Sequence, residues 1–282
     1  MLGFVLRVLA AGAVLLVIQG LAAGLTNALL GPSGVDLPPG SLGGVVLSNL
    51  VTAAPLAWLA KRSRLSGLRL AGCLAMVFFG VSTFNNMIEA LFFHVFGARD
   101  FARYLLQGAV TAVPFSFVLM ALMGRMRGTP PGPATIASPQ GAGSWAWRLA
   151  AADLLYLACY LGAGNVIYPW VREFYESRSL PSQALIAAMQ LFWRGPIFIA
   201  LMLLVVRMVD GDRWEKAAVA GATLSLVGGF APLLIPNPYL PDQVRWAHFF
   251  EVGISNFIYG AAIAWLMTPP PRPVAALAGS SA

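Results

Sequence analysis

The sequence predicts an all-α, polytopic membrane protein with eight transmembrane helices. Three observations lead to that fold class. Of 282 residues, 59% are hydrophobic and 10% charged, where an ordinary soluble domain has about 25% charged. Apolar segments near the roughly 20 residues needed to cross hydrocarbon as a helix recur along the chain. Turn-forming clusters such as "GPSGVDLPPG", "KRSRLSG", "FGARD" and "IPNPYLPD" separate them.

The first predicted span covers residues 4–30. Arg7, the apolar run after it and the small residues near Ala23 resemble a secretory leader. The segment is read as a retained helix because it has a counterpart later in the chain. The second span, 43–60, lies between a Gly/Pro-rich turn and a basic turn, and the third, 67–96, contains "FNNMIEALFFH". The fourth is 101–125. Residues 126–144 are rich in Gly, Pro, Ser and Ala without periodicity, the composition of a flexible linker. The fifth to eighth spans are 145–170, 183–208, 213–235 and 245–268, and the tail 269–282 is expected to be disordered.

The linker divides the chain into two four-helix halves, 1–125 and 145–268. A shift of 141 residues superposes Arg7 on Arg148, Gln19 on Tyr160, Asn49 on Gln190 and Pro55 on Pro196, and a shift of 142 superposes Arg103 on Arg245. Identity is low. An even number of helices per half makes such pseudo-repeats parallel, related by an axis along the membrane normal.

The net charge is +7. Its distribution accounts for it without nucleic acid. With the N-terminus cytoplasmic, twelve Lys and Arg fall on the cytoplasmic side, five on the other, and Arg194 inside a helix. The positive-inside rule then predicts a multi-pass protein of the cell (cytoplasmic) membrane with both termini in the cytoplasm. Cys73 and Cys159 sit in apolar segments and read as small buried hydrophobes.

Ionisable groups at membrane depth cost about 2.5–3.5 kcal/mol on insertion scales, so they must face protein or a wet cavity. Glu89, Asp153, Arg194 and Glu251 are the charged groups in question. At about 100° per residue, Asn85, Glu89, Ser82 and Asn86 share one face of the third helix, whereas His94 lies about 140° from Glu89. On the eighth helix the same wheel gathers His248, Glu251, Ser255, Tyr259 and Asn256. The fifth puts Asp153, Tyr156, Tyr160 and Gly164 on one face, and the sixth sets Gln190 one turn from Arg194. Glu89 and Glu251 are expected about 10 Å below the same membrane side at 1.5 Å per residue. Arg194 is expected near the middle, and Asp153 in the inner half.

These faces predict an internal polar cavity that binds or transports a small polar solute or ion, with proton coupling through Glu89 and Glu251. Its expected site residues are Asn85, Asn86, Glu89, Arg194, His248, Glu251, Asn256 and Tyr259. Interhelical hydrogen bonding is the alternative role for the same groups. An intramembrane enzyme acting on lipid, with His248 and Glu251 as an acid–base pair, is a second reading. His94 together with His248 and the two glutamates is the one metal-dependent variant of it. No cofactor or resident metal is expected, because the spacing matches neither HExxH nor a Cys cluster. A membrane subunit that docks a partner through "WVREFYESRSLP", or a homo-oligomer, is a third; Arg172, Glu173, Glu176 and Arg178 in that segment also read as a solvated helix extension with i,i+3 and i,i+4 pairing.

Overall fold

A computed structural model describes residues 1–32, 37–95, 97–127 and 141–268. Among the described residues, eight helices are long and apolar enough to cross a membrane. They are α1 (Leu2–Leu30), α2 (Ser41–Arg62), α3 (Gly67–Phe92), α4 (Ala98–Leu122), α5 (Gly141–Glu176), α6 (Gln183–Met208), α7 (Arg213–Leu233) and α8 (Asp242–Met267). The expected fold class is therefore observed: the chain is an all-helical, multi-pass membrane protein.

The largest difference from the expected spans is in α5, which runs for 36 residues. It begins at Gly141, so 141–144 form its first turn. The rest of the predicted linker beyond Arg127, like the tail 269–282, lies outside the described residues. At its other end α5 passes through Pro169 to Glu176. Much of "WVREFYESRSLP" is thus helical, with Arg172 and Glu176 paired one turn apart at 2.7 Å. Membrane helices tolerate an internal proline when neighbours satisfy the freed backbone groups.

Three helices are locally widened to π geometry, at Gly80–Phe84 in α3, Gln190–Arg194 in α6 and Thr223–Phe230 in α7. Pro196 and Pro232 follow two of them. A proline ring clashes with the carbonyl four residues earlier, and an extra residue in the preceding turn relieves the clash.

One continuous apolar core draws on all eight helices, from Leu15 of α1 to Ile263 of α8. Many large apolar side chains point outward, among them Leu21, Leu47, Met76, Phe117, Val166, Phe192 and Ile258. That surface suits acyl chains, since water-facing monomers rarely expose so much contiguous apolar area. Helices α7 and α8 pack closely. A Cβ on Gly260 would approach Ala220 O to 2.9 Å, and one on Gly229 would approach the Gly253 Cα to 3.0 Å. Ser225 Oγ donates across this seam to Gly253 O at 2.7 Å. Small residues let backbones meet this closely where lipid gives helices no hydrophobic drive to associate.

The arginines on the α1 C-terminal side have structural partners. Buried Arg103 donates to Asn27 Oδ1 and Gly31 O, both at 2.7 Å, and to Pro32 O at 3.2 Å. Gly31 ends α1 at φ 75°, and Arg99 bonds the Leu30 carbonyl beside it. Buried Arg245 donates to Leu233 O at 2.7 Å, at the end of α7, and to Asp242 at 2.8 Å. Arg178 stacks on Phe174, 4.1 Å from the ring centre. Helix C-termini present orphan carbonyls and partial negative charge, which a guanidinium satisfies. On the other side Arg148 and Arg213 treat the end of α8 alike, bonding Leu266 O at 2.9 Å and Trp265 O at 2.7 Å.

Candidate functional site

The polar faces meet between α3, α5 and α6. Glu89 Oε1 of α3 lies 2.7 Å from Arg194 Nη1 of α6. Asn85, one turn before Glu89, holds the same arginine twice: Arg194 Nε donates to Asn85 Oδ1 at 3.3 Å, and Asn85 Nδ2 donates to the Arg194 carbonyl at 3.3 Å. Gln190 Oε1 accepts from Arg194 Nη1 at 3.4 Å and from the Tyr156 hydroxyl of α5 at 2.9 Å. The guanidinium also lies over Phe198, 5.6 Å from the ring centre. Asn85 and Gln190 are fully buried.

Local structure explains the arrangement. The π turn of α6 ends on Arg194, and the π turn of α3 ends just before Asn85. Each widening re-aims the side chains beyond it, and such bulges concentrate where helices carry polar groups inward. Burial differs across the ion pair: the Arg194 side chain is 7% exposed and Glu89 30%. The carboxylate is the accessible member.

A second cluster sits nearer the α8 N-terminus. The Tyr175 hydroxyl of α5 is 2.5 Å from His248 Nε2, and His248 Nδ1 is 2.5 Å from Glu251 Oε2. A carboxylate only accepts, so in a neutral imidazole His248 Nδ1 donates to Glu251 and Nε2 accepts from the Tyr175 hydroxyl. Glu251 also packs on α5, since a Cβ on Gly164 would lie 3.7 Å from its Oε1. Glu89 and Glu251 therefore take different partners. Tyr175 lies within electrostatic reach of both, and Tyr160 within reach of Glu89, Arg194 and Tyr175, so the clusters are neighbours along α5.

The remaining expected residues fall as follows. Tyr259 is buried, with its ring 5.0 Å from that of Tyr156, and its hydroxyl has no hydrogen-bond partner among the described residues. Asn256 is buried on the same face of α8, against Gly228 of α7. Asn86 is turned to its own helix, its Nδ2 donating to Ser82 O at 3.1 Å. His94 is exposed and ends its segment at φ 53°. Among the described residues no three or more His, Cys, Asp or Glu side chains form a metal-holding group.

Sequence reasoning missed Tyr175, because the fifth span was expected to stop at 170. Asp153, expected in the inner half, has its Oδ1 against Gly195, the residue after Arg194. Tyr156 and Gln190 were visible as members of polar faces, without sign that they share one hydrogen-bonded acceptor.

Comparisons with protein-family models, with curated proteins and with solved structures found no match to this chain.

Proposed function

We propose that this membrane protein binds and transports a small polar solute or ion, with proton coupling at the Glu89–Arg194 pair. The observation that carries the reading is a nearly sealed arginine, deep in an apolar bundle, whose carboxylate partner remains accessible. Isolated charges there are costly, so the pair stays closed until something replaces one member. A proton on Glu89 does so, and so does an anionic solute group that takes its place on the guanidinium. Asn85, Gln190 and Tyr156 then supply neutral donors and acceptors that orient what enters. Glu251, joined to His248 and Tyr175, is a second proton-handling group on the approach. The bilayer is the surrounding partner; a cell-membrane location with cytoplasmic termini remains part of the proposal.

Two related four-helix halves that rock against each other belong to the same reading. In each half the first helix packs on the second and fourth, and the third on the fourth. Across the halves α2 meets α7 and α3 meets α6, pairs that a two-fold axis would exchange. The α2–α3 and α6–α7 loops pair antiparallel at Ser63 and Val209, with Arg64 N donating to Met208 O at 2.7 Å and Asp210 N to Arg62 O at 2.8 Å. These contacts support the repeat.

The test is reconstitution into liposomes loaded with a pH indicator, with an imposed pH gradient and a panel of amino acids, organic acids and alkali cations outside. Protein-dependent proton movement that needs one of these solutes, and that Glu89→Gln removes, supports the proposal. Flux equal to that of empty liposomes under every condition overturns it. A second reading, acid–base chemistry on lipid, is favoured by the Tyr175–His248–Glu251 chain. It predicts loss of a lipid-modifying activity on His248→Ala with Glu89→Gln still active.

A further inference from the structure

Two arginines meet at the end of α8, and among the described residues no carboxylate pairs with either. Arg148 of α5 donates to Leu266 O at 2.9 Å and Arg213 of α7 to Trp265 O at 2.7 Å, so consecutive carbonyls draw the two guanidiniums together. Arg148 is the charged group within electrostatic reach of Arg213. The acids nearest in sequence are engaged elsewhere: Asp212 Oδ1 accepts from Glu215 N at 2.8 Å, and Glu215 pairs with Arg62. The C-terminus of α8 offers about half a negative charge against two positive ones.

Exposed indoles frame the pair. Arg213 stacks on Trp265, 3.3 Å from the ring centre, Trp214 lies 6.5 Å from Trp265, and Arg148 lies over Trp147 at 5.4 Å. Tryptophan gathers at the headgroup level of a bilayer, so the arginines sit where lipid phosphates lie. Deeper along the same seam, α7 and α8 leave a groove of about 310 Å³ whose walls include Ala222, Leu226, Phe230, Ile254, Phe257 and Ile258. The hydroxyl in its lining, Ser225 Oγ, is spent on Gly253 O, which leaves the groove apolar. Trp265 follows Ile258 by two helical turns on the same face, about 10 Å away at 1.5 Å per residue. Half of a hydrocarbon core about 30 Å thick is about 15 Å, so an acyl chain descending from the arginines reaches the groove.

We propose that Arg148 and Arg213 bind the phosphate of an anionic phospholipid whose acyl chain lies in the α7–α8 groove. Guanidinium groups match phosphate oxygens in geometry as well as charge. Two cations without a protein carboxylate favour a headgroup of net negative charge over a zwitterionic one, whose own ammonium group offsets its phosphate. The site is separate from the Glu89–Arg194 pair and does not depend on the transport reading.

The experiment is native mass spectrometry of the full chain released from detergent micelles, titrated with dioleoylphosphatidylglycerol or with dioleoylphosphatidylcholine, which carries the same acyl chains. Wild type should bind the first phosphatidylglycerol about thirtyfold more tightly, the scale of two basic residues against anionic lipid. Arg148→Gln/Arg213→Gln should bring the two lipids level. Arg7→Gln/Arg69→Gln, which removes the same charge from exposed positions at the same end of the bundle, should leave the preference intact. No preference in wild type, a preference that survives Arg148→Gln/Arg213→Gln, or an equal loss in the Arg7→Gln/Arg69→Gln control overturns the site. If the double variant yields no folded protein, the single variants decide: a reduced preference in both supports the site, and an unchanged one in either overturns it. Ala222→Leu fills the groove and should weaken the dioleoyl lipid while leaving short-chain dihexanoylphosphatidylglycerol unchanged; any other pattern overturns the seat of the acyl chain. Displacement of the lipid by millimolar inorganic phosphate would assign the arginines to a free anion and overturn the lipid.

Discussion

Replacing both members of the Glu89–Arg194 pair by glutamine separates a functional site from an interhelical fastening. Breaking a buried ion pair by removing one partner costs about 3–5 kcal/mol, because a charge is left buried alone. Both single variants should cost less than that here. In Arg194→Gln the orphan is Glu89, which is 30% exposed and can take a proton. Asn85 Oδ1 and Gln190 Oε1 lose only long bonds of 3.3 and 3.4 Å, and Gln190 keeps Tyr156. The expected loss is about 1–2 kcal/mol, the scale of one or two ordinary hydrogen bonds. In Glu89→Gln the orphan is Arg194, which keeps Asn85 Oδ1 and Gln190 Oε1 as acceptors, and the loss should be about 2–3 kcal/mol, at or below the lower end of the range for a broken pair. Glu89→Gln/Arg194→Gln removes both charges and should return to within about 1 kcal/mol of wild type, since replacing a whole buried pair is often neutral. Reversible unfolding in mixed micelles, followed by circular dichroism, measures all four proteins. A double variant that loses about 3 kcal/mol or more, beyond either single, would show that the pair mainly holds α3 to α6, and would refute the functional assignment.

Other outcomes follow from the same coordinates. Arg103→Ala removes charge-assisted bonds to the end of α1 from a buried site and should cost about 2–4 kcal/mol, with Arg103→Lys recovering part of it; the same unfolding assay checks both. Gly253→Leu forces a side chain into the Phe230 ring, where even a Cβ would lie at 2.3 Å. It should destabilise by about 1–3 kcal/mol, while Gly162→Leu, on an open surface, should cost about 1 kcal/mol or less. Tyr175→Phe removes the outer hydrogen bond of the His248 chain, for about 1 kcal/mol of stability. If Glu251 lies on the proton approach, that variant should slow proton movement without abolishing it, as a stopped-flow pH trace would reveal. Elemental analysis should find no stoichiometric metal, because His94 is exposed and His248 is engaged by Tyr175 and Glu251; metal lost on His248→Ala would favour the enzyme reading.

The eight spans were legible because lipid demands length and apolarity, and both are countable in a sequence. The helical wheel also served where helices are regular. From Asn85 to Glu89, and from His248 to Glu251, it set together side chains that do share partners or neighbours. It failed where winding changes. The π turn at Gly80–Phe84 puts Ser82 on a different rotation from Asn85, and Ser82 bonds Phe78 O within its own helix. Proline marked two of the widened segments through Pro196 and Pro232, whereas α3 carries no such signal. Tyr175 was hidden because the charges after Pro169 read as a solvated helix extension with i,i+4 pairing, which does not say which of its aromatic side chains faces α8. Arg103 and Arg245 stood out in the sequence as paired openers of the last helix in each half. Their roles on the carbonyl ends of α1 and α7 needed three-dimensional contacts that no spacing encodes.

The most direct measurement of the Glu89–Arg194 assignment is proton movement into indicator-loaded liposomes, comparing wild type with Glu89→Gln at equal reconstitution. A solute-dependent flux that Glu89→Gln lowers by roughly a hundredfold, the lower end of what a positioned proton-transfer group contributes, is the expected result. Equal flux in the two proteins would contradict it and leave the pair a structural contact between α3 and α6.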